Sequence, residues 1–215
     1  MVNLGNMMKQ AQQLQKKMAD VQEKLINEIS KLPGLGRRSA QRISLYLLKN
    51  KERALLPLMQ TLQEANQKII NCETCGNIDT KSPCSLCQNV KRDLQTICVI
   101  EDVSDLWTFE QTGFFKGVYH VLGGSLSAIN GIGIDELSIT KLVQRIQEQN
   151  VKEVVLALST TMEGQTTSHV IADKLESLNN VEVTRLAEGI PIGGEVHYLD
   201  ENTLNAAYQS RKKIV

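Results

Sequence analysis

Hydrophobic positions near the N-terminus follow a helical period. Met7, Ala11, Leu14, Met18, Val21 and Leu25 recur at alternating spacings of four and three, a heptad seam within one long helix over residues 7–29. The next heptad position is Glu28, and Ile29 takes the apolar role instead. A seam this short suits an edge packed on a core or on a partner helix. Lys31-Leu32-Pro33-Gly34-Leu35-Gly36 must break that helix. A second helix is predicted over residues 38–49, with Ile43, Leu45, Tyr46, Leu47 and Leu48 as its apolar content, and a third over residues 56–70.

Beyond residue 71 the pattern changes. Asn71 to Arg92 is polar and turn-rich, with too few aliphatic residues for a core of its own. Four short apolar runs then follow: Ile97–Ile100, Val118–Leu122, Val154–Leu158 and Val181–Val183. Helical stretches separate them near Asp105–Thr112, Asp135–Gln149 and Ser168–Leu178. That rhythm predicts a mainly parallel α/β sheet. Thr203 to Tyr208 reads as a short terminal helix.

Composition narrows the class without deciding it. The 215 residues are 41% apolar and 22% charged, as in an ordinary globular protein of one large or two to three small domains. No run reaches the ~18 uncharged apolar residues of a membrane span. Met1 to Lys24 is rich in Gln and Lys and lacks the apolar core of a signal peptide, so the expected location is the cytoplasm. The formal net charge is zero, but its distribution is uneven. Lys31, Arg37, Arg38, Arg42, Lys49, Lys51 and Arg53 face a single acid, Glu52, in the same stretch. Such a patch can attract a polyanion although the whole chain is neutral; a solvated basic helix face is the plainer alternative.

Cys72-x-x-Cys75 and Cys84-x-x-Cys87 are two identical knuckles. Each turn can aim two thiolates at one point, and two such turns complete a tetrahedron. The expectation is one structural zinc ion per chain on Cys72, Cys75, Cys84 and Cys87. Four sulfur ligands leave no open position for water, so the site is not hydrolytic. Two disulfides or redox thiols are the alternatives; a cytoplasmic chain disfavours the first, and a redox C-x-x-C normally occurs once. Cys98, within an apolar run, is read as an inert core residue.

Between the first two predicted helices, Gly34 and Gly36 allow a tight hairpin with backbone N–H groups at the start of the second helix. That geometry suits a phosphate oxygen, assisted by the helix dipole and by Arg37, Arg38 and Arg42. Contacts of this kind read the backbone and not the bases, so DNA binding is expected to be sequence-independent and strongly salt-dependent.

Taken in order, these motifs resemble those of the bacterial RecR recombination family. Leu32-Pro33-Gly34-Leu35-Gly36, the two knuckles and Ile97-Cys98-Val99-Ile100-Glu101 begin the likeness. Tyr119-His120-Val121-Leu122-Gly123-Gly124, Gly131-Ile132-Gly133-Ile134 and Glu163-Gly164-Gln165-Thr166-Thr167 continue it, and Gly189-Ile190-Pro191-Ile192-Gly193-Gly194-Glu195 ends it. The resemblance implies an α+β multi-domain chain: an N-terminal helix-hairpin-helix, a four-cysteine zinc finger, a Toprim-like α/β domain with a mainly parallel sheet, and a short C-terminal segment. The expected divisions are an extra helix over residues 1–24, a DNA-binding hairpin domain over 25–70, the zinc finger over 71–92, the Toprim-like domain over 93–186 and an oligomerisation segment over 187–215.

It further implies a homotetrameric ring, associated with the nucleoid, that binds gapped or duplex DNA. Such a ring works with RecO and RecF in the RecFOR pathway to load RecA at single-stranded gaps. Arg38 and Arg42 match the basic residues of the family's DNA-binding hairpin, and Glu101 the acid at the end of the first Toprim strand. Catalytic Toprim proteins add a D-x-D pair, which with that glutamate holds Mg²⁺. Here that place reads Ser159-Thr160-Thr161, with Glu163 the only nearby carboxylate. A phosphoryl-transfer enzyme is therefore the poorer alternative, and Glu101 and Asp102 are read as a partner surface or as strand-end acids. The histidines are read as structural or surface residues. No G-x-x-x-x-G-K-[ST] occurs in the chain, so ATP hydrolysis is not expected. Glu188 departs from the basic, polar or small residue expected there. Leu4 to Met18 resembles the opening helix of the YbaB nucleoid-associated family, which leaves a nucleoid-packaging protein as a second alternative.

Overall fold

The computed structural model describes residues 4–178 and 180–213. They form two compact units that divide between Lys68 and Ile69.

In the first unit, α1 (Leu4–Ser30) runs through the whole heptad stretch. The side chains of Met7 and Ala11, the first two members of the seam, lie outside the described residues. Leu14, Met18 and Val21 are exposed, whereas Leu25, Ile26 and Ile29 are half-buried. The apolar contacts of α1 therefore concentrate in its C-terminal third, which packs on α2 (Arg37–Lys49). Ala40, Ser44 and Leu47 form the buried face of α2. Ser44 satisfies its hydroxyl on the Ala40 carbonyl at 2.8 Å. A π-turn (Lys51–Leu55) follows α2 and leads into α3 (Leu56–Lys68).

The second unit opens with a small antiparallel ribbon, β1 (Ile70–Asn71) paired with β2 (Ile78–Asp79). Next come β3 (Asp93–Ile100), α4 (Val103–Thr112), β4 (Gly117–Val121), α5 (Ile139–Gln149), β5 (Glu153–Leu156), α6 (Met162–Glu176) and β6 (Glu182–Arg185). A short 3-10 turn (Val196–Tyr198) and α7 (Glu201–Gln209) end the described chain. The four long strands form a wholly parallel sheet in the order β4-β3-β5-β6. Parallel strands are covered on both faces, which is why they read as continuous apolar runs. Register aligns Ile97 with Val118 and Val154, and Val99 with His120 and Leu156. Ile97, Val99, Val118 and Val154 join Leu142, Ile146, Ile171 and Leu175 of α5 and α6 in one core. Cys98, Ile100, Tyr119 and Val121 meet Leu106 of α4 in the other.

Strand β4 is at the edge of the sheet, and the cysteine segment covers part of that edge. The Val121 N–H donates to the Cys75 carbonyl at 2.8 Å. Gly76 permits the approach: its φ is +77°, and a Cβ there would lie 3.1 Å from both Val121 Cβ and Val121 O. Covering an edge in this way removes an open template for pairing with another chain.

Candidate nucleic-acid hairpin and metal centre

In the hairpin, Gly34 takes a left-handed conformation (φ +77°) that L-residues adopt at a cost, and the Leu35 N–H closes the turn on the Leu32 carbonyl at 3.1 Å. Gly36 is extended (φ −76°, ψ 165°) and caps α2 without a side chain. The first helical bond runs from Ala40 N–H to Gly36 O at 3.0 Å. The N–H groups of Arg37, Arg38 and Ser39 thus have no acceptor within the helix, the arrangement that favours an anion at a helix start.

The basic residues of this unit divide into two sets. Arg37 pairs with Glu23 and donates to Asn27 Oδ1 at 3.1 Å, so its guanidinium fastens α2 to α1. Lys31 pairs with Glu28 at 2.8 Å. Arg38, Arg42, Lys49, Lys51 and Arg53 are exposed, and among the described residues no acid pairs with them.

The four knuckle sulfurs lie within 4.8 Å of one another and can hold a metal ion. Cys75 and Cys84 Sγ are 3.6 Å apart, and Cys72 and Cys87 Sγ 4.0 Å. A tetrahedron with metal–sulfur bonds of about 2.3 Å has edges of about 3.8 Å, so the donor set fits such a centre. A disulfide requires ~2.05 Å, and all four cysteines are free. Cys72, Cys75 and Cys84 are buried and Cys87 is half-buried. Burial pushes the Cys72 thiol up, but N–H groups of Cys84, Cys75 and Thr74 outweigh it and bring its pKa down to about 7. The neighbouring Cys87 sulfur and burial push Cys75 up. Crowded thiols that resist becoming like-charged neighbours are what a bound cation relieves. Asp79 braces the second knuckle by accepting from Ser85 N–H and Oγ–H, each at 2.7 Å. Cys98 stands apart from the four sulfurs, fully buried, with its thiol pushed up to about 12 by burial.

At the carboxyl ends of the parallel strands, Glu101 and Asp102 are both engaged within the fold. Glu101 Oε1 accepts the Ser159 N–H at 2.7 Å, which ties the end of β3 to the loop after β5. Asp102 caps α4: its carboxylate accepts from Ser104 N–H at 2.8 Å, and Asp105 returns the contact to Asp102 N–H at 3.0 Å. Sequence reasoning started this helix near Asp105 and missed the cap, for which the D-x-x-D spacing of Asp102 and Asp105 was the available signal. Ser159 and Thr161 bond through their hydroxyls at 2.8 Å, and Thr161 caps α6. A cleft of about 760 Å³ beside them is lined by Ser159, Thr160, Gln165, Arg185 and Glu188. Glu188 pairs with Arg185 at 3.6 Å, and its carbonyl accepts from Ser210 Oγ–H at 3.0 Å, so the acid is held within its own unit. No pair of carboxylates faces this cleft among its lining residues. Sequence reasoning also missed a part-buried network: Arg92 pairs with Glu110, donates to Gly117 O at 2.8 Å and lies over the Tyr119 ring, whose hydroxyl donates to Glu110 at 2.6 Å.

A helix-hairpin-helix, a four-cysteine centre and a parallel Toprim-type sheet define a class of multi-domain recombination proteins. Residues 22–66 match the family model described as RecR, helix-hairpin-helix, residues 95–187 the Toprim domain, and residues 189–212 RecR, C-terminal. Recombination protein RecR of Hyphomonas neptunium is 54% identical over 191 residues, covering 89% of this chain and 94% of that protein. RecR of Rhizobium leguminosarum bv. trifolii is 50% identical over 192 residues (89% and 95%), and that of Erythrobacter litoralis 47% over 192 residues (89% and 96%). The chain belongs to the RecR family of recombination proteins. Among the described residues, no helix is long and apolar enough to cross a membrane.

Proposed function

We propose that this chain is a non-enzymatic, DNA-binding recombination mediator of the RecFOR pathway. It assembles as a homotetrameric ring, associates with the nucleoid in the cytoplasm, and works with RecO and RecF to load RecA at single-stranded gaps. The observation that carries this reading is the hairpin. Gly34 and Gly36 present the first N–H groups of α2, and beside them stand Arg38 and Arg42, with which no acid pairs among the described residues. These groups are suited to phosphate oxygens, which gives affinity without sequence preference. Arg37, held by Glu23, serves the same surface by fixing the angle of α2.

The ion at Cys72, Cys75, Cys84 and Cys87 is zinc, which those thiolates would hold as a closed structural centre. It supplies shape to the finger over residues 71–92. The divisions at 1–24, 25–70, 93–186 and 187–215 complete the assignment, with the last segment making subunit contacts.

The contacts of Glu101 argue against phosphoryl transfer. One of its oxygens is committed to Ser159 N–H, and the residues opposite are hydroxyls, which bind Mg²⁺ weakly compared with carboxylates. The second oxygen of Glu101 has no hydrogen-bond partner among the described residues, and with the neighbouring Asp102 it is the part of this edge offered to RecO. The reading is tested on gapped DNA coated with single-strand binding protein. The chain together with RecO should speed RecA assembly at the gap. Coating of long duplex without RecO, and no effect on RecA, would instead favour a packaging protein.

A further inference from the structure

The exposed face of α2 does not end with the hairpin. Arg38, Arg42, Tyr46 and Lys49 follow one another at spacings of four, four and three, so they share an arc of about 80° on the helix. The buried residues Ala40 (0% exposed), Ser44 (1%) and Leu47 (7%) occupy the opposite arc. The basic face therefore points directly away from the packed one. Within it Tyr46 is 60% exposed, and among the described residues its hydroxyl has no hydrogen-bond partner. An aromatic ring left in solvent between cations on both sides has the composition of a single-strand platform: cations track the backbone and the ring receives a base. From Arg38 to Lys49 the helix rises about 16 Å, a length that spans more than one backbone phosphate of an extended strand. Lys51 and Arg53 in the π-turn extend the cationic run past the end of the helix.

We propose that the outward face of α2 is a single-stranded DNA track, in which the Tyr46 ring stacks on an unpaired base between phosphates held by Arg42 and Lys49. The proposal rests on the hairpin binding DNA and adds what it prefers. Bases in duplex are already stacked and closed to Tyr46, whereas those at a gap are open to it. The track thus gives a sequence-independent reader of phosphates a bias toward single strands.

The experiment compares full-length protein with six variants in binding a fluorescent oligo-dT and a duplex of equal length, with molar mass followed by light scattering. Tyr46→Ala and Tyr46→Leu should weaken oligo-dT binding roughly five- to a hundredfold, and duplex binding little. Tyr46→Phe keeps the ring and should bind as the parent does. Lys49→Ala should lower the salt slope by about one on either DNA. Parental oligo-dT affinity in Tyr46→Leu would overturn the stacking role, since leucine keeps apolar surface and loses only the aromatic face. A changed molar mass in Tyr46→Ala would overturn it too, by making this face a contact between copies. Arg38→Ala and Arg42→Ala in the same assay separate the two levels. If they weaken binding while the Tyr46 variants do not, only the track fails; if they too are without effect, the DNA reading of the hairpin fails with it.

Discussion

Replacing His120 by glutamine removes one titrating group from the interior of the sheet and leaves its hydrogen bond in place. His120 is 2% exposed, on β4, with Nε2 3.0 Å from the Ser138 carbonyl. Burial, opposed by the Ser138 carbonyl and assisted by the nearby Arg145 and Lys141 charges, lowers its pKa from an ordinary 6.5 to about 4. The folded protein thus refuses a proton that the unfolded chain accepts. Stability is intact above the unfolded value and is lost as pH falls from about 6.5 to about 4. The full loss is about 3 kcal/mol, of which about 2 kcal/mol has appeared by pH ~5. Glutamine can still donate to the Ser138 carbonyl but does not titrate. Urea unfolding at pH about 7.5 and about 5 should show the parent losing about 2 kcal/mol more than His120→Gln. Comparing the two proteins cancels the acid response of the cysteine centre, which they share. Equal losses would refute the reasoning, because they would mean that the His120 ring takes up its proton without unfolding the sheet.

Two further perturbations follow from the same unit. A Cβ at Gly164 would lie 2.1 Å from the Ser159 carbonyl oxygen and 2.4 Å from Ser159 Oγ, so Gly164→Ala must displace the 159–161 turn. The expected cost is about 1–3 kcal/mol, or roughly 2–4 °C of melting temperature per kcal/mol, and an unchanged melting temperature would count against the packing described. Purified protein should carry about one zinc per chain by metal analysis, and Cys87→Ser should lower that content. With the metal chelated, the Val121 amide, which bonds to Cys75 O, should exchange with deuterium well before amides in the interior β3–β5 ladder.

The elements that carry a strong period or a fixed spacing were legible in the sequence. The doubled C-x-x-C brought four sulfurs together as expected, because ligand spacing is a short-range property. The four apolar runs all became strands of one parallel sheet, with ends shifted by a few residues. Other features depended on tertiary context. Helix α6 begins at Met162, six residues before its expected start at Ser168, since Gly164 and the threonines beside it are poor helix formers until Thr161 caps the turn and Thr167 is buried. Helix α5 begins at Ile139 and not near Asp135, because residues 134–138 close a turn through the Leu137 N–H to Ile134 O bond. The role of Arg37 could not be separated from that of Arg38 by composition. Only the placement of Glu23 and Asn27 shows that the Arg37 guanidinium pairs across α1 and α2. Likewise Glu101 reads as a free acid until the Ser159 N–H is seen against it.

The central claim is that the hairpin holds DNA by its phosphates through Arg38 and Arg42, and the salt dependence of binding tests it most directly. Each phosphate contact on duplex contributes about 0.9 to the slope of log affinity against log salt, so a variant lacking both arginines should lose about two units of slope as well as affinity. Its melting temperature should match the parent's, because among the described residues no acid pairs with either side chain. A slope and an affinity indistinguishable from the parent's would contradict the account.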